Sequence, residues 1–414
     1  MTWLDYARVL MIFDNKKRNW RASDDCAPFS QRFNTRKIRS ALPTLYLQDT
    51  IVDLPQTVKM EMSPRENLSA VLHGPRDLRL ENRPVTEPAS NEVLLKINSV
   101  GFCGSDMKFW EYGRILCFDI NKPMILGHEY SGTVVKVGSE VEHLKAGDRV
   151  AVEPGFPKKD DEFVKSGRYN LTLSDYSTGL PPNNGAMCQY LAHNANCCFK
   201  IPDSLSFEEG ALIEPLSVGI HACRRGEVKI GQMIFICGAG TIGLMCMLVA
   251  KTMGAAQVVI CDVISSRLEM AKKLGADYTI KVNGETPQIL AEKVKAVLGA
   301  MPNISFECTG KEFSMQAGMY ATRSVGSVVL VGLTQEKMNI PVSEAIIREV
   351  DIRGVFKYCN TWPIAINMLA LNRVDVKPLV THRFPLNEIH KAFETASKGT
   401  GTKVVLKCDT SDLD

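Results

Sequence analysis

Two rhythms of apolar and polar residues divide this chain. Between residues 66 and 213 the apolar positions come in short alternating runs, as in Glu92-Val-Leu-Leu-Lys-Ile-Asn-Ser-Val100 and Ser131-Gly-Thr-Val-Val-Lys-Val137. Gly, Pro and Asp punctuate them, which predicts a mainly β region. The stretch from Glu153 to Met187 is polar and rich in Pro and Gly, and it reads as loop. From about residue 216 apolar strands alternate with helical patterns. Strands are predicted at 233–237, 257–262, near Tyr278, at 304–307 and at 327–331. Helices are predicted between them, at 242–253, 265–274, 287–298 and 313–321. That order predicts an α/β fold with a doubly wound parallel sheet of the Rossmann type. Beyond Phe356, a helix at 362–371 and strands near His382 and at 404–407 are expected to rejoin the β region. The domains so predicted are 60–215 with 356–414, and 216–355.

One segment has the length of a membrane span. Ile230 to Ala250 contains no charged residue. Glycines at 231, 238, 240 and 243 divide it into a strand-like piece, Met233-Ile-Phe-Ile-Cys237, and a helix-like piece after it. A buried strand, a turn and a buried helix account for it, so no membrane partner is expected.

Composition narrows the class further. Of 414 residues, 45% are hydrophobic and 23% charged, which excludes a wholly disordered chain. Residues 1–59 carry 10 basic and 6 acidic side chains, and the remainder 39 and 40. The bulk of the chain is thus close to neutral, and nucleic-acid binding has no electrostatic support. Residues 1–59 lack periodicity and are expected to be a poorly ordered extension. Asp5 and Arg8 break the only apolar stretch at the start, so no signal peptide is expected; Asp14, Asp24 and Asp25 argue against a mitochondrial leader. Thirteen cysteines, several inside apolar runs, fit reduced and buried thiols in a cytoplasmic protein better than a disulfide framework.

The first chemical signal is Gly238-Ala-Gly-Thr-Ile-Gly243, between a predicted strand and a predicted helix. Its glycines, Gly238, Gly240 and Gly243, permit a tight turn and a close approach of backbone N–H groups to a pyrophosphate. Asp262 lies 19 residues after Gly243, at the end of the next strand, where its carboxylate can accept hydrogen bonds from a ribose diol. A 2′-phosphate would meet its charge, so NAD is expected rather than NADP. Arg267, five residues on, weakens that preference.

The second signal is a set of metal-ligand types. Cys103 stands in Gly101-Phe-Cys-Gly-Ser-Asp106, His128 and Glu129 in Gly127-His-Glu-Tyr130, and Glu214 in Leu212-Ile-Glu-Pro215. A thiolate, an imidazole and a carboxylate suit zinc, and three protein ligands with one open position define a catalytic centre. Their separation along the chain is too long for spacing alone to establish the site.

Taken together, these motifs resemble the zinc-dependent medium-chain dehydrogenases, and within them the branch that acts on polyols such as sorbitol. The resemblance runs from about Leu68 to Asp409. It includes Phe109-Trp-Glu-Tyr-Gly-Arg114, Gly167-Arg-Tyr-Asn170, Ile220-His-Ala-Cys-Arg-Arg225 and Tyr358-Cys-Asn-Thr-Trp-Pro363. Residues 1–59 are outside it, and Met60 or Met62 would make a family-like start. The resemblance implies a GroES-like catalytic domain beside the Rossmann domain. Cys103, His128 and Glu129 would hold zinc, Glu214 would hydrogen-bond at or enter its shell, and Ser105 would sit near the substrate oxygen. Ile242, Asp262 and Arg267 would line the NAD site with backbone at Val331, Gly332 and Leu333 and at Val355, Phe356 and Lys357. Tyr358 and Lys357 would face the polyol. A homotetramer is implied too.

Many relatives hold a second, structural zinc on four clustered cysteines. No cysteine lies between Glu153 and Met187 here, so that site is not expected. At two positions the chain departs from its relatives: Phe109 stands where they present Tyr, and Lys357 where they present Arg. A phenol hydroxyl is lost, and a five-donor fork becomes a point charge. The expected activity is NAD-dependent oxidation of a polyol to a ketose. Alternatives are a xylitol or other sugar-alcohol dehydrogenase and a non-catalytic NAD-binding paralogue.

Overall fold

The computed structural model describes residues 66–157, 160–172, 175–333, 337–399 and 401–409. The expectation for residues 1–59 lies outside the described residues.

The β region is built on one seven-stranded sheet. Its path runs Cys198–Lys200, Arg149–Val152, Glu129–Val137, Glu92–Gly101, Lys403–Lys407 and Val380–Pro385, with Tyr190–Asn194 also paired to Glu92–Gly101. The strand Glu92–Gly101 is the hub. Its alternation turns Val93, Leu95 and Ile97 into a core shared with Phe102, Tyr130 and Phe393. A smaller sheet of Glu66–Gly74, Asp77–Pro84 and Met124–Ile125 adds to it. The strand Lys403–Lys407 pairs antiparallel with Glu92–Gly101, so the last described strands belong to the same sheet as Glu92–Gly101. The segment 153–187 holds short elements that the loop reading did not include: the strands Gly155–Pro157 and Asp175–Ser177 and the helix Glu162–Lys165.

The second half is a six-stranded parallel sheet. Its order is Tyr278–Lys281, Gln257–Asp262, Met233–Cys237, Ile304–Glu307, Ser327–Leu330 and Asp351–Gly354. The first of these strands in sequence, Met233–Cys237, sits in the middle, with later strands on both sides. Strand order reverses there, and a crevice opens at the carboxyl ends. The strands are apolar without alternation because helices cover both faces. The helix Thr241–Thr252 packs on the helix Ile213–Gly226, where Gly219 lies so close to Met245 that a Cβ would fall 2.9 Å from the Met245 carbonyl carbon. This burial explains the uncharged run from Ile234 to Ala250, while Ile230 just before it is exposed. Among the described residues no helix is long and apolar enough to cross a membrane.

Candidate active site

Cys103 precedes the helix Gly104–Tyr112, and Asp106 organises that turn. The Cys103 amide donates to Asp106 Oδ2 at 2.9 Å, and the Gly127 amide donates to Oδ1 at 3.3 Å. His128 Nδ1 lies 3.5 Å from the same Oδ1. One fully buried carboxylate thus positions the Cys103 turn and the His128 loop together.

Glu129 opens the strand Glu129–Val137 opposite Gly101. A Cβ on Gly101 would fall 2.3 Å from Glu129 Oε2, so glycine is required for the carboxylate to lie there. Lys403 donates to both Glu129 oxygens, at 2.9 and 2.6 Å, and to the Phe102 carbonyl at 2.9 Å. The ligand atoms of Cys103, His128 and Glu129 all lie within 4.8 Å of one another. Sulfur, nitrogen and oxygen donors so grouped match the mixed set that zinc accepts, and Cys103 and His128 reach the wall of a cleft. Local charge agrees. Burial works against the His128 imidazolium, but Asp106 and Cys103 outweigh it and raise its pKa well above the ordinary value. An environment that favours a proton there also favours a cation.

Around this cluster the structure gathers the other candidates. Cys103, Ser105, Phe109, His128 and Glu214 line one wall of a cleft of about 390 Å³. Ile242, Val331, Gly332 and Leu333 line it from the parallel-sheet half, and Val355, Phe356, Lys357 and Tyr358 close it. Glu214 sits in the first turn of the helix Ile213–Gly226 and is hydrogen-bonded to Tyr358. Burial pushes its carboxyl up to about 7, and the Glu129 charge adds to that; His128, Tyr358 and Lys403 pull the other way. Phe109 is 1% exposed and packs mainly into the core. Lys357 has a left-handed backbone, with φ of 49°, and its ammonium lies 5.4 Å from the Phe356 ring.

The remaining cofactor candidates lie outside that cleft, at the carboxyl edge of the parallel sheet. Gly238 has φ of 98°, and a Cβ on Gly243 would fall 1.8 Å from the Gly238 carbonyl oxygen; both positions demand glycine. A Cβ on Gly240 would meet nothing, which leaves the helix start open. Asp262 accepts from the Ala239 and Ile264 amides, each at 2.8 Å. Arg267 is placed 3.9 Å from Asp262, and its guanidinium donates to the Gly399 carbonyl at 3.1 Å.

Sequence reasoning overlooked several residues here. Asp106 follows Cys103 by three positions and forms a capping box, a local pattern that was available. Lys403 gave no signal, being a lysine in a terminal strand 274 residues from Glu129. Lys108 also escaped notice; its ammonium spans the cleft to the Leu333 carbonyl at 2.6 Å. Glu153 is buried behind Tyr358 and accepts from the Tyr169 hydroxyl at 2.6 Å. Among the described residues all twelve cysteines are free.

Comparison with known proteins gives a consistent set of matches. The family described as zinc-binding dehydrogenase matches residues 241–370, and the alcohol dehydrogenase GroES-like domain matches residues 89–203. The sorbitol dehydrogenase of Homo sapiens is 60% identical over 346 residues, covering 84% of this chain and 97% of that protein. Among solved structures, an Escherichia coli oxidoreductase of unknown specificity superposes with a TM-score of 0.78 at 35% identity, covering 83% of this chain and 99% of that one. The L-idonate 5-dehydrogenase of Escherichia coli gives 0.77 at 26% identity, with 83% and 98% covered.

Proposed function

Since the chain belongs to the zinc-dependent medium-chain dehydrogenases, close to the sorbitol dehydrogenases, we propose that its cleft oxidises a secondary alcohol of a polyol to a ketose with NAD. The observation that carries this is the convergence of Cys103, His128 and Glu129, with Cys103 and His128 on the wall of a cleft that Ile242, just after the start of the glycine-turn helix, also lines.

We assign the metal to Cys103, His128 and Glu129, and the cofactor to Gly238, Gly240, Ile242, Gly243, Asp262, Arg267 and the backbone at 331–333 and 355–357. The catalytic portion is assigned to residues 60–215 and 356–414, and the cofactor portion to 216–355. When bound, zinc supplies Lewis acidity toward the alcohol oxygen and NAD a hydride acceptor. The chain's own groups do the rest. Asp106 holds the Cys103 and His128 loops at a fixed separation. Lys403 neutralises Glu129 and fixes its rotamer. Ser105 and Glu214 face the reacting hydroxyl, where Glu214 can hold or release a proton near neutral pH and Tyr358 orients its carboxyl. Lys357 and Phe109 stand along the polyol chain, and apolar lining residues such as Ile115, Phe118 and Ile242 exclude water.

A panel of polyols followed by NADH absorbance, with zinc content measured on the same samples, tests this reading. Sorbitol or a near relative should be oxidised in proportion to zinc. His128→Ala should lose zinc and rate together while still binding NADH. Full turnover in a zinc-free variant would refute the assignment. Xylitol and shorter sugar alcohols are the second reading, favoured by the reduced hydrogen-bonding capacity at Phe109 and Lys357.

Two coarser features fit the same picture. The edge strand Asp351–Gly354 leaves one side of the parallel sheet unpaired among the described residues, and Ile346, Ile347 and Ile352 are exposed beside it. An open edge with apolar neighbours suits pairing with a second copy, and thus the homo-oligomer implied by the family resemblance. Free thiols suit a reducing, cytoplasmic compartment.

A further inference from the structure

Behind the segment Val355–Tyr358, away from the zinc cluster, lies a second cavity of about 380 Å³. Arg168, Asn170, His221, Arg225 and Cys359 line it, with Gly354, Val355 and Phe356. His221, Arg224 and Arg225 come from the last turns of the helix Ile213–Gly226, and Arg168 caps the short turn Tyr169–Leu171. Residues far apart in sequence thus bring two guanidinium groups, Arg168 and Arg225, to the lining, with Arg224 close by but outside it.

None of the three has a carboxylate partner among the described residues. Arg224 donates to the Asn360 and Cys359 carbonyls at 3.1 and 3.4 Å, and Arg225 to the Gly354 carbonyl at 3.2 Å. The neighbouring Arg353 shows the contrast, with Glu227 and Asp351 both at 2.8 Å. Burial, then Arg225, Arg224 and Arg168, all push the His221 pKa down, to about 4, and nothing pulls it back. Arginines near a helix carboxyl end have an ordinary role in offsetting the dipole. That role covers Arg224 and Arg225 but not Arg168, which arrives from another element.

We propose that this pocket binds a small oxyanion, best matched by a phosphate group, gripped between Arg168 and Arg225 with His221 alongside. Guanidinium forks pair bidentately with such oxygens, and two lining guanidinium groups with a third nearby suit a dianion better than a single carboxylate. The site is separate from the catalytic cleft but shares Val355 and Phe356 with it. A bound anion therefore bears on the segment that also carries Lys357 and Tyr358. The inference does not depend on which polyol is oxidised.

The test uses the zinc-loaded enzyme saturated with NADH, so that phosphate cannot register at the dinucleotide site. Inorganic phosphate and, separately, a hexose monophosphate are titrated at constant ionic strength, with chloride as reference, by calorimetry and thermal shift. Saturable binding and a rise in Tm are expected with phosphate. Tighter binding of the ester would mark it as the source of the group, and equal binding would mark the free ion. Arg168→Gln, an exposed position, and Arg225→Gln should each weaken binding about tenfold or more while leaving NADH affinity unchanged. The proposal is overturned if phosphate acts no differently from chloride, or if the response survives Arg168→Gln. Arg168→Gln decides the matter even if Arg225→Gln fails to fold.

Discussion

Lys403 Nζ lies 2.6 Å from Glu129 Oε2, with both side chains at most 2% exposed. This pair joins the last strand of the chain to the proposed metal cluster. A lysine buried so deeply ordinarily tends to lose its proton. Here burial lowers the pKa, but Glu129 and Cys103 outweigh it and raise it, so the charge is kept. Glu129 is thereby compensated from one side while its cluster faces the cleft from the other.

Lys403→Met should leave Glu129 buried and uncompensated. Removing one partner of a buried pair costs about 3–5 kcal/mol. The loss should be close to that range in zinc-free protein and smaller in zinc-loaded protein, because the metal supplies the missing positive charge. Denaturant unfolding with and without chelator measures both. An equal loss in the two states would show that Glu129 does not belong to the metal cluster.

Glu153 predicts a pH dependence. Burial pushes its carboxyl from 4.5 up to about 7, against the Tyr169 hydrogen bond and with the Glu214 charge. The folded protein therefore keeps this proton to higher pH than the unfolded chain does. The stability from this group is full below about pH 4.5 and is lost as pH rises through about 7. The loss amounts to about 3 kcal/mol at most. Glu153→Gln can still accept from Tyr169 but does not titrate. The stability gap between variant and wild type should widen in the variant's favour from pH 4.5 to 7. A constant gap would contradict the assignment.

Phe109 and Lys357 predict substrate choice. A hydrogen bond contributes about 0.5–1.5 kcal/mol net, and one to a charged group roughly 1.5–3. Restoring both, as Phe109→Tyr with Lys357→Arg, should lower KM for sorbitol by about tenfold, with a smaller effect on kcat. Steady-state kinetics with sorbitol and xylitol read this out. Unchanged constants for both would remove these positions from the specificity argument.

Asp262 predicts cofactor choice. Its carboxylate is held by two backbone amides beside the glycine turn. Wild type should prefer NAD, and Asp262→Ala should narrow the gap to NADP by removing charge repulsion. The kcat/KM ratio for the two cofactors decides, and a wild-type preference for NADP would reverse the reading of this residue.

Much of the parallel-sheet half was legible in advance, for a simple reason. Strands covered on both faces must be continuously apolar, and the helices between them carry their own period. The strand Gln257–Asp262 and the helix Pro287–Leu298 were predicted with these ends. The helix Ile213–Gly226 was not, and its first turn contains Glu214-Pro215. Proline is tolerated in a first helical turn, where its missing N–H has no intrahelical partner to lose. The edge strand Asp351–Gly354 was missed as well, being short and largely exposed.

The candidate site divides along the same line. Residue types and local context pointed to the glycine turn, to Asp262 and to Cys103, His128, Glu129 and Glu214 as metal-ligand types, while the narrower zinc set of Cys103, His128 and Glu129 was what the family resemblance implied. Only the tertiary structure decided that Lys403 closes on Glu129, that Lys108 reaches Leu333, and that Arg168 meets Arg225. Those pairs are separated by dozens to hundreds of residues. Their geometry comes from sheet pairing and domain packing, which no local pattern encodes.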